Sequence, residues 1–280
     1  MKKRIILLAV IALLITAAVI CGCFFMREYT EAQEEIAEYT SIQSDYTTTT
    51  QVKVPVLTDN TNEEGVSPEI EEPPELLLPY VDVDFQALLQ ANADTVGWIA
   101  IPDTVISYPI VQTSNNSKYL GISFEGRNSK AGTLFADYRN DVVVLDANTI
   151  IYGHNMGARR NDMFNTLLLY KDYDYLMEHR YIQFDTIYQQ HGFWEIFAVI
   201  ELDTRNTSFI YQEIQFQDNT LFFEWITKAI DLSIHDTDMN ISRLDRILTL
   251  STCDRSRYGQ HGRLIILAVR MQSDFTHSYS

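Results

Sequence analysis

ILTLSTCDRSRYGQHGRLIILAVR, residues 247–270, contains two apolar runs joined by a polar segment. Residues 247–251 and 264–269 are short, rich in Ile, Leu and Val, and bounded by polar residues, which is the pattern of β-strands. If the two strands pair antiparallel, the end of the first lies beside the start of the second. The stretch therefore predicts a strand pair that carries Cys253 and Arg263 side by side at one edge.

Similar short apolar runs recur through the rest of the chain, at residues 96–101, 106–111, 132–135, 142–145, 149–152 and 194–202. Apolar residues at helical spacing are found in 83–92, 162–170 and 220–232. Seven or eight strands without regular intervening helices favour a mainly β fold, a closed barrel or sandwich, over a βαβ architecture.

The amino terminus carries a candidate membrane anchor, residues 1–26. Lys2, Lys3 and Arg4 precede an uncharged apolar run from residue 5 to residue 26. A helix of roughly 20 such residues spans a bilayer, and the preceding positive charges predict a cytoplasmic amino terminus with the remainder outside. A cleaved signal peptide is the competing interpretation, and a lipid-modified Cys21 or Cys23 is a third.

Residues 27–80 have the composition of an acidic extracytoplasmic spacer. The net charge is −17 overall, and residues 27–84 alone hold 15 acidic and 2 basic residues. Such a segment buries little apolar surface and is predicted to be mostly extended. The composition changes near residue 81, so residues 81–280 are predicted to form the folded domain. No basic face for binding nucleic acid is present.

Cys253 is the only cysteine outside the apolar run, so the sequence excludes a disulfide framework for the exported domain. A cysteine at the end of a strand, after small hydroxyl residues, can be exposed on a rigid backbone, as a nucleophile requires. A buried core cysteine is the other interpretation, and the position alone leaves both open.

A catalytic cysteine needs a proton-transfer partner, and the chain has six histidines. His154 follows an apolar strand and a glycine in the segment IIYGHNM, whereas the other five lie in polar contexts typical of surface residues. His261 is close in sequence to Arg263 and is the alternative partner. A hydrogen-bonded structural role for His154 also stays open.

Arg263 is the candidate for stabilising an oxyanion beside the thiol, because a fixed guanidinium can hold a substrate carbonyl. Arg255, Arg257 and Arg270 compete for this role, and a solubility role for Arg263 is the alternative. The chemistry requires no metal, and no His, Cys or Asp cluster has ligand spacing, so we predict no metal and no cofactor.

The segment TLSTC, residues 249–253, followed ten residues later by Arg263, resembles the signature of the sortase family. The segment YGHNM is similar to that family's histidine motif. Residues 83–112, 124–138 and 214–236 resemble the corresponding parts of class B sortases, so the resemblance covers about residues 81–272.

This resemblance implies an eight-stranded β-barrel with an added amino-terminal helix and a helix before the cysteine strand. It implies that Cys253 attacks the bond after Thr in a C-terminal sorting signal, that His154 transfers protons and that Arg263 orients the signal. Thr252 and Ser251 are expected to contact the substrate. The acyl group is expected to pass to an amine of a peptidoglycan precursor, or to a pilin lysine in a pilus-polymerising variant.

Three other functions are compatible with parts of the pattern. An L,D-transpeptidase usually has His and Gly directly before its cysteine, where this chain has Ser251 and Thr252. A cell-wall cysteine peptidase usually has its cysteine ahead of its histidine. The non-enzymatic alternative is an anchored, β-rich binding module with a buried cysteine.

Overall fold

The computed structural model describes residues 2–55, 75–157, 160–237, 239, 241 and 245–271. The chain divides into two compact units, residues 1–42 and residues 43–280. Residues 56–74 of the predicted spacer, and the last nine residues of the chain, lie outside the described residues.

Helix α1, Lys2–Tyr46, accounts for the first unit and continues beyond the predicted anchor. It is long and apolar enough to cross a membrane. Its apolar side chains between residues 5 and 26 are exposed. Exposed side chains of this kind are costly in water and favourable in lipid, so the helix has the physical properties of a membrane span.

The second unit begins with an antiparallel pair, β1 (Thr47–Pro55) and β2 (Glu75–Val83). These strands fall within or next to the segment that we expected to be extended and to bury little. The expectation of little burial is wrong for these strands, because their apolar residues pack together on the barrel. That cluster contains Val54, Leu78, Tyr80 and Phe193.

Eight further strands close into a barrel with the order β10-β8-β7-β3-β4-β5-β6-β9. This confirms the prediction of a mainly β fold with an eight-stranded barrel. The strands are β3 (Thr95–Ala100), β4 (Ser107–Val111), β5 (Phe135–Ala136), β6 (Asn148–Tyr152), β7 (Tyr181–Thr186), β8 (Phe193–Asp203), β9 (Ile247–Cys253) and β10 (Gly262–Arg270).

The predicted strand at residues 142–145 is wrong, since these residues form turns. The carboxylate of Asp141 accepts hydrogen bonds from the backbone N–H groups of Val143 and Val144, at 2.9 and 3.3 Å, which bends the chain locally. Leu145 has a φ of 57°, outside the β region. Strand β7 was not predicted from the apolar runs, because its apolar residues alternate with Tyr, Gln and Asp and form no continuous run.

Three helical segments added to the barrel lie close to their predicted positions, namely α2 (Phe85–Ala91), a 3₁₀ helix (Asn165–Lys171) and α4 (Asn219–Leu232). The short helices α3 (Tyr173–Glu178) and α5 (Arg255–Tyr258) had not been predicted. Asp84 and Asp218 cap α2 and α4, because each carboxylate accepts hydrogen bonds from backbone N–H groups of the first turn.

The connection between β8 and β9 carries α4 and covers one face of neighbouring barrel strands. Phe222, Trp225 and Ile226 of α4 pack in one cluster with residues from β6, β8, β9 and β10. Burying these aromatic rings stabilises the connection by several kcal/mol, at roughly 25 cal/mol per Å² of apolar surface. Tyr211 of the same connection belongs to this cluster, and its hydroxyl accepts a hydrogen bond of 3.2 Å from Ser251 Oγ, near the carboxyl-terminal end of β9.

Candidate active site

Three neighbouring strands bring the predicted site residues to one edge of the barrel. Strands β6 and β9 are parallel, with Tyr152 opposite Ser251, so both carboxyl-terminal ends lie at the same edge. Strands β9 and β10 are antiparallel, with Cys253 directly opposite Arg263. This is the register that the sequence predicted for the strand pair.

A pocket of about 310 Å³ opens at this edge. All five predicted site residues line it, namely Ser251, Thr252, Cys253, His154 and Arg263. The other lining residues were not predicted from the sequence; they are Asn116, Leu120, Phe135, Tyr152, Gly153, Tyr211 and Gln212. Tyr152 could have been found, because it precedes Gly153 and His154 in one motif, whereas Asn116 and Gln212 have no local signal.

The backbone around Cys253 is held on both sides. Asn155 Nδ2 donates a hydrogen bond of 2.7 Å to the carbonyl oxygen of Cys253, and the Asp254 N–H donates one of 3.1 Å to Gly262. The Cys253 side chain is partly exposed, and its sulfur forms no disulfide. A rigid backbone with an accessible thiol is the arrangement that nucleophilic catalysis needs.

Ser251 and Thr252 connect this strand to its surroundings. Thr252 Oγ1 donates a hydrogen bond of 2.9 Å to the carbonyl oxygen of Gly153, and the Gly153 N–H donates one of 3.2 Å to Ser251. Ser251 Oγ donates to the hydroxyl of Tyr211 at 3.2 Å. These bonds fix the spacing between the cysteine strand and the segment that carries His154.

His154 is oriented by a carbonyl group. Its Nε2 lies 2.8 Å from the carbonyl oxygen of Leu120. A carbonyl oxygen only accepts, so Nε2 carries a hydrogen in this contact and Nδ1 is the nitrogen left for proton exchange. Gly132, with φ of 62°, passes close to the imidazole, and an added Cβ there would lie 3.3 Å from His154 Cδ2.

Arg263 is anchored through one of its two amino groups. Nη1 donates hydrogen bonds to the carbonyl oxygens of Gly262 at 2.8 Å and Gln260 at 3.3 Å. The planar guanidinium thus keeps a defined orientation beside the pocket. A cation with fixed N–H donors can stabilise negative charge that develops on a carbonyl oxygen.

The competing cations and the alternative histidine lie elsewhere. Arg257 contacts Glu201 at 3.3 Å, and Arg270 donates hydrogen bonds to Gln190 and His191 from the far end of β10. His261 contacts the side chain of the neighbouring Gln260 at 3.2 Å. Among the residues described, the pocket lining contains His154 and Arg263 but neither His261 nor these other arginines.

The charged residue that follows the cysteine is buried and paired. The Asp254 carboxylate contacts the ammonium of Lys171 and accepts hydrogen bonds from Ser256 N and Oγ at 3.0 and 2.7 Å. Burial raises the pKa of the Asp254 carboxyl, but the hydrogen bonds from Lys171 and Ser256 outweigh it and hold this pKa below its ordinary value. Asp254 is therefore ionised, and its contacts stabilise the loop between Cys253 and Arg263.

The chain resembles known proteins in sequence. A family model described as Sortase domain matches residues 99–271. Sortase B of Listeria monocytogenes is 39% identical over 183 residues, which are 65% of this chain and 72% of that protein. Sortase B of Staphylococcus aureus is 27% identical over 268 residues, 96% of this chain and 98% of that protein.

Solved structures agree with these sequence matches. Sortase B from Bacillus anthracis in complex with AAEK1 superimposes with a TM-score of 0.66 and 29% identity, covering 87% of this chain and 99% of that one. A sortase B–substrate complex from Staphylococcus aureus superimposes with a TM-score of 0.61 and 30% identity, covering 67% and 84%. By family model, by identity to relatives and by fold, this chain belongs to the sortase family of transpeptidases and, within it, to class B.

Proposed function

We propose that this transpeptidase cleaves a C-terminal sorting signal of surface proteins and transfers the acyl group to an amine of a cell-wall precursor. The observation that carries the proposal is the convergence of Cys253, His154 and Arg263 on one pocket. A thiol, an imidazole and a guanidinium supply a nucleophile, a proton carrier and an oxyanion donor. The Staphylococcus aureus relative solved with a substrate supports a peptide as ligand.

In the first half of the reaction, Cys253 starts as the thiolate because His154 holds its proton as the imidazolium, and the sulfur attacks the carbonyl carbon of the threonine in the signal. The carbonyl oxygen becomes an oxyanion, which the Arg263 guanidinium stabilises through N–H donors. When the tetrahedral intermediate collapses, the C–N bond breaks and the leaving amine takes a proton from His154. The product is a thioester between Cys253 and the amino-terminal part of the surface protein.

In the second half, the amine of a cell-wall precursor enters the pocket and attacks the thioester. His154 accepts a proton from this amine, the C–S bond breaks and Cys253 is released as the thiolate. Transpeptidation requires that the amine react before water does. The connection between β8 and β9 supports this requirement, because its residues Tyr211 and Gln212 line one side of the pocket.

Ser251 and Thr252 would form the part of the substrate site nearest the nucleophile. Both line the pocket and are hydrogen-bonded to neighbouring segments, so they present a rigid surface to the threonine of the signal. A rigid surface lowers the entropy cost of placing the scissile carbonyl near the sulfur.

We also propose that residues 1–26 anchor the protein in the cell membrane as a single span, with the catalytic domain on the outer side. The exposed apolar side chains of α1 and the three positive charges before them support this orientation. Anchoring would hold the enzyme where exported substrates and lipid-linked wall precursors meet.

The test uses the full-length protein in detergent micelles with LPxTG-like and NPxTN-like peptides. Mass spectrometry is expected to detect a thioester on Cys253, and added amines are expected to shift the product mass by the mass of the amine. A wall-precursor amine and a lysine side chain give different product masses, so the same experiment identifies the acceptor.

The decisive variant is Cys253→Ala, which is expected to abolish both the thioester and cleavage while the protein stays folded. Cys23→Ala is the matched control, because it removes a thiol from the apolar run, and it is expected to retain activity. Retained peptide cleavage in Cys253→Ala would refute the proposed function.

A further inference from the structure

A buried carboxylate lies behind the pocket wall, outside the set of residues that react. Asp137 follows β5, its residue is 1% exposed, and it is not among the lining residues of the pocket. A buried carboxylate is costly unless hydrogen bonds and an opposite charge compensate it. The groups that hydrogen-bond to Asp137 and balance its charge therefore indicate its role.

The hydrogen bonds of Asp137 lead to two side chains of the pocket wall. Its Oδ2 accepts from the Tyr152 hydroxyl at 2.9 Å and from Asn116 Nδ2 at 3.1 Å. The other end of the Asn116 amide is also fixed, because Oδ1 accepts from the Tyr138 N–H at 2.9 Å. Asn116 and Tyr152 are therefore held by one carboxylate from behind.

Arg139 completes the network and extends it to a third wall residue. Its Nε and Nη2 donate to the two oxygens of Asp137, each at 2.9 Å. Nη2 also donates to the carbonyl oxygen of Gln212 at 3.2 Å, in the connection between β8 and β9. Segments that lie far apart in sequence are thus joined at the back of the pocket.

The ionised state of Asp137 determines the direction of these hydrogen bonds. Burial raises the pKa of the Asp137 carboxyl, but the hydrogen bonds from Arg139 and Tyr152 outweigh it and lower this pKa. Burial raises the pKa of Tyr152, so the phenol stays protonated and donates to the carboxylate. A carboxylate only accepts, and it therefore forces both neighbours to act as donors toward it.

We propose that Asp137 is a positioning residue that fixes the orientation and hydrogen-bond polarity of Asn116 and Tyr152, and through Arg139 the backbone at Gln212. The wall then offers the ligand an amide N–H donor from Asn116 and a phenolic oxygen acceptor from Tyr152. This pair matches a peptide group, which has one carbonyl oxygen and one N–H. The inference rests on the proposed function, because it takes the occupant of the pocket to be a peptide.

The chain offers a matched control for a purely structural role. Asp185 on β7 is also 1% exposed, and it accepts a hydrogen bond from the Tyr80 hydroxyl at 2.8 Å. It also accepts one from the Gly192 N–H at 3.0 Å. Strand β7 is four strands away from β6 around the barrel, and Asp185 does not line the pocket. Asp185→Asn therefore tests what loss of a comparable buried carboxylate does without touching the wall.

The experiment compares Asp137→Asn and Asp185→Asn in the full-length protein in micelles. An amide in place of the Asp137 carboxylate offers one acceptor oxygen to donors from three residues, so at least one wall side chain loses its partner. Since a hydrogen bond to a charged group contributes about 1.5–3 kcal/mol, kcat/KM for the cleaved peptide is expected to fall about tenfold or more. The larger part of this change is expected in KM, and Asp185→Asn is expected to retain kcat/KM.

A second measurement separates positioning from general damage. Alkylation of Cys253 by iodoacetamide requires a folded site with an accessible thiol, but it does not require the wall residues that contact the peptide. Its rate is therefore expected to be the same in Asp137→Asn and in wild type. In a double-mutant cycle, Asp137→Asn is expected to cost less in a Tyr152→Phe background than alone, because the two share one interaction.

Three results would overturn the role of Asp137: an unchanged kcat/KM, equal losses of peptide turnover and alkylation, or additive effects with Tyr152→Phe. If Asp137→Asn does not fold, Tyr152→Phe alone replaces it, since it removes the phenolic oxygen that Asp137 orients and leaves the carboxylate bonded to Arg139 and Asn116. Full kcat/KM in folded Tyr152→Phe would likewise overturn the role. A wild-type protein that cleaves no sorting-signal peptide would instead refute the proposed function itself.

Discussion

Replacing Lys171 with methionine is expected to weaken the loop that joins Cys253 to Arg263. Lys171 ends the 3₁₀ helix Asn165–Lys171, and its ammonium contacts the Asp254 carboxylate directly after Cys253. The same ammonium contacts Glu201 Oε1 at 2.7 Å. Methionine retains most of the aliphatic stem and removes only the charge, so the variant isolates the ion pair from packing.

The burial of the two partners sets the size of the effect. Breaking a fully buried ion pair costs about 3–5 kcal/mol, and an exposed pair contributes about 0–1 kcal/mol. Here the Asp254 side chain is 4% exposed and the Lys171 side chain 28% exposed. Asp254 also keeps its two hydrogen bonds from Ser256. We therefore expect the free energy of unfolding to fall by about 2 kcal/mol at pH 7.

The effect is expected to depend on pH with a definite sign. The folded-state pKa of the Asp254 carboxyl is lower than its ordinary value, so its stabilising contribution is present above the unfolded pKa of about 4. That contribution is lost as the pH falls through the folded pKa. The difference between wild type and Lys171→Met is therefore largest at pH 7 and shrinks below about pH 4.

Urea unfolding followed by tryptophan fluorescence measures this difference at several pH values. Lys228→Met is the control, because Lys228 is an exposed lysine of α4 and its replacement is expected to change stability by less than about 0.5 kcal/mol. Equal stability of Lys171→Met and wild type at pH 7 would refute the reasoning. So would a difference that stays constant down to pH 3.

Other substitutions test the site directly. Arg263→Lys is expected to lower kcat/KM by about a hundredfold, because a point charge does not replace a planar fork of donors; near-normal turnover would remove Arg263 from the reaction. His154→Ala is expected to lose about a hundredfold or more of activity at every pH tested, and an equal loss in His261→Ala would shift the role to that residue. Gly153→Ala would place a Cβ 2.6 Å from Phe164 Cδ2, so it is expected to lower the unfolding free energy by about 1–3 kcal/mol in urea titrations; unchanged stability would contradict this packing.

Local patterns in the sequence were sufficient to predict the strands and helices that are defined by a few consecutive residues. The strand pair around Cys253 and Arg263 could be predicted with its register, because the segment of residues 254–261 joins the end of one strand to the start of the next and leaves few other pairings. Helix α4 was predicted within one residue, since its apolar face repeats at helical spacing.

Local patterns failed where distant residues supply the stabilisation. The strands β1 and β2 are separated by residues 56–74, and Leu78 and Tyr80 of β2 are buried against Val54 of β1 and Phe193 of the barrel. Strand β7 carries polar side chains that look exposed in sequence, yet Gln183 and Asp185 are buried and hydrogen-bonded to each other. A tertiary contact that satisfies a buried polar group cannot be read from spacing along the chain.

The sequence by itself identified Cys253, His154 and Arg263 as the candidate reactive groups, and the structure places all three at one pocket. Only the tertiary structure decided the wall around them, where Asp137 links residues from separate segments. The physical reason is that strand formation depends mainly on side chains that are close in sequence. The lining of a binding pocket depends instead on where the folded chain places groups that are remote in sequence.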